Sequence, residues 1–161
     1  QNFGAGNGKR VQETFVKAVS IGTVVMIVFT ILAHWKPGLL LDGFSNDRET
    51  MAVAAQFLYF VSMNLVAQGL VFTCNSMFQG LGNTRPVLVS STVRLVTYAV
   101  PVIWLSTQPG FRIEHVWYLS IVTTTLQAGL SLWLLRREFR KRLAPLAREV
   151  APERVGLEPV G

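Results

Sequence analysis

The sequence predicts an all-α integral membrane protein, and three observations predict it. Half of the residues are hydrophobic and only 15% are charged, too little polar surface to wrap a water-soluble globule of this size. Four apolar runs reach the roughly 20 residues that a helix needs to cross a hydrocarbon core of about 30 Å, and none of the four contains Asp or Glu. Lys and Arg gather in alternate connecting segments, as they do on one face of a membrane.

The first span is expected over residues 15–35. Phe15 to Ala33 is interrupted only by Lys17, and it ends at His34-Trp35-Lys36-Pro37-Gly38, where Trp suits the interface and Pro-Gly stops a helix. The second, residues 51–79, is long enough to tilt and is closed by Gly80-Leu81-Gly82-Asn83. The third, 86–106, carries Arg94 and Pro101, and the fourth, 115–136, stops in a basic cluster running from Arg136 to Arg142. Residues 1–14 are expected to form a loop, and the polar, Pro-rich 144–161 a disordered tail. β-Branched residues are frequent in the spans, but a spanning strand needs only about 10 residues, so length selects helices.

If the four helices alternate in direction, Lys9, Arg10, Lys17, Arg85 and the Arg136 to Arg142 cluster share one side. Lys36, Arg48 and Arg112 share the other with Asp42, Asp47, Glu49 and Glu114. The first side is therefore expected to be cytoplasmic, with both ends of the chain on it, in a multi-pass protein of the cell membrane. Membrane lipid, rather than nucleic acid, is the partner that this placement of the formal charge of +6 implies. The chain opens with Gln1 and no signal-peptide pattern precedes the first span, so it is expected to be a piece of a longer protein.

Polar residues in the spans fall in stripes. In the second, Asn64, Gln68, Asn75 and Gln79 lie within about 60° at about 100° per residue. Such a stripe reads either as the wall of a polar cavity or as amides bonding packed helices, at about 1 kcal/mol each. The third span aligns Ser90, Arg94 and Thr97 with Pro101, and the fourth aligns Ser120, Thr124, Gln127 and Ser131. The Ser and Thr positions read first as close packing. Arg94 lies about 12 Å past Pro86 at about 1.5 Å per residue, as a snorkelling anchor or a cavity-facing cation. Pro101 should free a carbonyl and give the third helix a hinge.

Chemistry in the usual catalytic sense is not expected. Cys74 stands alone, and His34 and His115 sit at helix ends, so no metal site, nucleophile or cofactor is predicted. Gln1 to Asn7 lacks the Lys-Ser/Thr of a phosphate loop, which disfavours an ATP-driven exporter as well as an enzyme. An acid-free set of spans also means that any coupling to H+ or Na+ needs a carboxylate outside this chain.

Two segments carry a family resemblance. Gln1 to Arg10, QNFGAGNGKR, resembles the cytoplasmic Q-N-x-G-A-G-N segment after the second helix of each half of multidrug and toxic compound extrusion (MATE) transporters. Met77 to Leu88, MFQGLGNTRPVL, is similar to that family's F-Q-G-x-G-x-T-x-P-x-L segment between the fourth and fifth helices. Gln1, Asn2, Gly4, Gly6, Gln79, Gly80, Gly82 and Pro86 are the residues that match, and Leu41-Asp42-Gly43-Phe44 resembles the outer-loop segment before the fourth helix. Both motif glycines of the second segment, Gly80 and Gly82, could end a helix with positive φ.

The resemblance implies the last four of twelve helices in a two-lobed transporter, exporting organic cations or drugs by alternating access in exchange for H+ or Na+. It implies an amino-terminal lobe as partner and small organic or cationic substrates. Some family members carry an Asp on the tenth helix; Gln68 occupies that place here. Asn64, Gln68, Asn75, Arg94 and Thr97 are then the expected cavity lining. The competing readings are a lipid-linked oligosaccharide flippase of the same superfamily, or a non-transporting scaffold or truncated product.

Overall fold

The computed structural model describes residues 3–41, 43 and 47–149. Gln1 and Asn2 of the first motif, Asp42 and Phe44 of the outer-loop segment, and the tail from residue 150 lie outside the described residues. Six helices follow in order: α1 (Gly8–Trp35), α2 (Pro37–Leu41), α3 (Arg48–Met63), α4 (Leu65–Gly80), α5 (Arg85–Ser106) and α6 (Ile113–Glu149). Among the described residues there is no strand. Helices α1, α5 and α6 are each long and apolar enough to span a bilayer, and α3 with α4 makes a fourth span bent by 48°. The chain runs up and down. Val11, Phe78, Leu81, Leu135 and Leu143 share one buried cluster, while His34–Tyr59 and Phe60–Trp117 ring contacts close the other end.

The span boundaries differ from the sequence expectation at both chain ends. Residues 8–14, expected in a loop, form the first two turns of α1, with Lys9 and Arg10 exposed and Val11 packed into the cluster. The fourth span does not stop at 136: α6 continues to Glu149, so 144–149 are helical rather than part of a tail. Leu135 and Leu143, two turns apart, give this extension an apolar side to bury, and Arg142 pairs with Glu138 one turn back.

The second span breaks at Asn64. The Ser62 carbonyl faces the Asn64 N–H and, at 3.0 Å, the Thr30 hydroxyl of α1, which is shared with the Met26 carbonyl of its own helix at 2.8 Å, and a side chain inserted into the backbone ladder bends a helix. Asn64 N–H then bonds back to the Val61 carbonyl at 3.0 Å, and Gln68 N–H to the Asn64 carbonyl at 2.8 Å starts α4. The third span, where Pro101 was expected to hinge, runs as one element from Arg85 to Ser106.

Helix α6 is the centre of the bundle, burying Thr124, Gln127, Ala128, Ser131 and Leu135, whereas on α1 no residue between Val11 and Ala33 is buried. Exposed Val16, Ile21, Val24, Val28 and Ile31 on α1, and Leu88, Leu95, Val100 and Ile103 on α5, present apolar faces that in water would cost far more than in hydrocarbon. Several hydroxyls in the spans are satisfied locally. Thr73 donates to the Gly69 carbonyl, Ser90 to Val87, and Thr125 to Ile121, each returning to its own helix as membrane segments require.

Candidate functional site: the polar seam between α4 and α6

The four-amide stripe divides in the folded chain. Asn64 is half-buried, and its amide donates to the Ser120 hydroxyl of α6 at 3.2 Å. Asn75 is half-buried on α4, with an Oδ1 out of solvent contact. Gln68 and Gln79 are exposed. The count of about 100° per residue places all four on one face, but burial also depends on which neighbour reaches each height.

Opposite α4, helix α6 turns a run of polar residues inward. Thr124 and Ser131 are fully buried and Gln127 is 5% exposed. Five side-chain oxygens have no hydrogen-bond partner among the described residues: Oδ1 of Asn64 and Asn75, Oγ1 of Thr124, Oε1 of Gln127 and Oγ of Ser131. A polar atom removed from water without a partner costs about 1–3 kcal/mol, so groups left this way along one seam mark a place where the fold is not optimised for its own stability. The α6 stripe is visible in the sequence, where close packing is its first reading. What the spacing does not reveal is that its oxygens stay unpartnered.

The third-span residues contribute differently. Ser90 is buried and donates to the Val87 carbonyl at 3.1 Å. Arg94 is half-buried and forms no ion pair among the described residues. Thr97 is exposed, with its hydroxyl donated to the Val93 carbonyl at 2.8 Å. The structure does not bring Arg94 and Thr97 into the seam, since α5 packs mainly on α6 and hardly touches α4.

The two motif loops meet the same end of α6. In the first, Gly6 turns with φ 73 and its N–H bonds the Phe3 carbonyl at 3.1 Å, and Gly8 lies against Leu143. In the second, Gly80 remains the last helical residue of α4, and Gly82 alone takes the left-handed conformation, at φ 69. Gly82 N–H returns to the Gln79 carbonyl at 2.9 Å and Asn83 N–H to Phe78 at 3.0 Å, the paired bonds that close a helix through a left-handed residue. The sequence alone allows both glycines that role. Pro86 occupies the first turn of α5, where its missing N–H costs nothing.

Side chains lock this turn. Asn83 donates to Glu138 at 2.9 Å, Glu138 pairs with Arg142 at 2.6 Å, and Arg142 Nη1 donates to the Leu81 carbonyl at 2.8 Å. Glu138 is 9% exposed, and its charge is met inside this ring. Sequence reasoning absorbs Glu138 and Arg142 into a basic run and misses them. The signal is present in the i,i+4 spacing of an acid and a base.

Apolar spans on every side of an inward-facing polar seam define a multi-pass helical membrane protein. Among such proteins this chain belongs to the MatE family, whose model matches residues 1–105. It is similar to the mouse Multidrug and toxin extrusion protein 1, at 23% identity over 147 residues, covering 91% of this chain and 26% of that protein. The chain thus spans about a quarter of the length of the curated relative that it matches. No solved structure matches it.

Proposed function

We propose that this chain is part of an efflux transporter that exports multiple drugs and organic cations by alternating access, in exchange for H+ or Na+, with its loop end facing the cytoplasm of the cell membrane. The unpartnered oxygens of Asn75, Thr124 and Gln127 carry this reading. A passage for many solutes needs polar groups that the fold has not already committed, and neutral acceptors suit amines and cations without holding them irreversibly. Parting of α4 from α6 would open the seam to one side of the membrane in one of the alternating states. In this reading Gln68, exposed on α4, faces the amino-terminal lobe across the cleft, and Arg94 and Thr97 serve α5 and its lipid contact. The coupling carboxylate is carried outside these four spans, because none of them contains an acid. The name of the similar mouse protein supports the substrate class.

The test is drug accumulation in cells lacking other pumps. The full-length protein should lower ethidium accumulation, and a protonophore or removal of sodium should abolish the effect. Efflux that survives collapse of both gradients would reject the antiport reading. Asn75→Leu should retain or raise stability while lowering efflux about tenfold, the loss of about 1.4 kcal/mol of productive interaction. Unchanged efflux in that variant would remove the seam from the transport path.

A further inference from the structure

We propose that the extension of α6 beyond the hydrocarbon core is a binding face for the headgroups of anionic phospholipids. The inference rests on the spans and not on the transport reading. Arg136, Arg137, Arg140 and Lys141 are all exposed, and at about 100° per residue they fall within about 140° of one another. Leu135, Glu138, Phe139, Arg142 and Leu143 occupy the remainder of the circumference and face the bundle, as their burial or partners show. The helix is thus divided cleanly into a basic side and a packed side.

The single acid of this stretch, Glu138, takes no part in the outward field. It is turned inward, neutralised by Arg142 and hydrogen-bonded by Asn83, so four positive side chains act together without a carboxylate among them. Trp133, 53% exposed, lies one turn before Arg137, whose guanidinium stands 5.8 Å from its ring centroid. An exposed indole marks the level of the membrane interface, which sets the basic side chains at headgroup height. Lys9, Arg10 and Arg85 are exposed at the same end, because Val11 and Val87 pack into or against the cluster that holds Leu135 and Leu143. Each Lys or Arg near such a surface strengthens association with anionic lipid by about fivefold, and the arc presents four to one leaflet. The ligand chemistry is a phosphodiester with net negative charge fixed in the plane of the bilayer, as in phosphatidylglycerol.

The experiment is electron paramagnetic resonance of the full-length protein in phosphatidylcholine vesicles that contain spin-labelled phosphatidylglycerol or spin-labelled phosphatidylcholine. The protein should favour the phosphatidylglycerol probe by about fivefold or more at low salt. That preference should fall toward one between about 50 and about 500 mM NaCl, as screening predicts for an exposed charge pair. The R136Q/R137Q/R140Q/K141Q variant should lose it at low salt, and R136K/R137K/R140K should keep it. Absence of preference in the unaltered protein, persistence of preference at high salt, or retention in the glutamine variant would each overturn the assignment. So would displacement of the lipid probe by a short RNA, which would make the face a nucleic-acid site. The salt titration needs no variant, so misfolding of a substituted protein leaves the test intact.

Discussion

The Asn83 amide and the Glu138 carboxylate, 55 positions apart in the chain, meet at 2.9 Å where the α4–α5 turn touches α6. This bond converts a glycine-rich turn into a fixed connection, because the same carboxylate holds Arg142, which in turn donates to the turn's own Leu81 carbonyl. A turn already closed by its own backbone bonds is thereby held against α6 by one side-chain ring.

Glu138→Ala should therefore release the turn. It leaves the half-buried Asn83 amide without its acceptor and the partly exposed Arg142 with only the Leu81 carbonyl, at about 1 kcal/mol. Unfolding in mixed detergent would read the loss, and amide exchange over residues 79–84 should rise. Unaltered exchange there would mean that backbone bonds alone hold the turn.

Gly80 and Gly82 should respond oppositely to alanine. Gly82 has φ 69 with open space around it, so Gly82→Ala meets no clash but incurs the left-handed backbone penalty of about 1–2 kcal/mol. Gly80 is helical and equally unobstructed, and Gly80→Ala should stabilise by up to about 1 kcal/mol. Thermal denaturation of the two variants in the same detergent compares them; equal shifts would contradict the assigned turn.

The bend in the second span should couple to α6 through Asn64 and Ser120. A double-mutant cycle with Asn64→Ala and Ser120→Ala should give a coupling of about 0.6 kcal/mol, the usual worth of a side-chain bond between membrane helices. Additive effects would show that the 3.2 Å contact contributes nothing to the fold.

Asp47 caps α3, accepting from the Thr50 hydroxyl at 2.6 Å and the Thr50 amide at 2.9 Å. These bonds, the hydroxyl's foremost, hold its pKa below the ordinary 3.8. A carboxylate lowered on folding stabilises fully above its unfolded value and loses that contribution as pH falls through the lower folded one. The stability gap between the unaltered protein and Asp47→Asn should hold from about pH 7 to about pH 4 and shrink only below that. A gap that narrowed near neutrality would assign the pH response to another group.

Much of this fold could be read without coordinates because lipid imposes length and composition on each span. The all-helical class, the four crossings and the FQG turn followed from acid-free runs and their punctuation. The break at Asn64 did not, since the Ser62 carbonyl beside it meets Thr30, a residue of another helix. The amide stripe was legible as a face, but its division into half-buried Asn64 and Asn75 and exposed Gln68 depends on where α6 passes. Pro101 drew attention as the strongest local helix breaker, yet the interruption within a span fell where tertiary hydrogen bonding competes with the ladder. At the α6 end, helical spacing alone could have paired Glu138 with Arg142; only tertiary placement adds Asn83.

Two remote anchors on α6, Ser120 at Asn64 and Glu138 at Asn83, make the stretch between them a spacer of fixed count. One residue inserted or removed there would rotate everything downstream by about 100°, carrying Glu138 away from its amide while Ser120 kept its own. Exchanges of letter on the outward side, at Val122 or Leu126, leave that phase untouched. The helix is therefore tolerant in spelling and strict in number, and a frame-preserving deletion between the anchors should be harder to accommodate than several apolar replacements together.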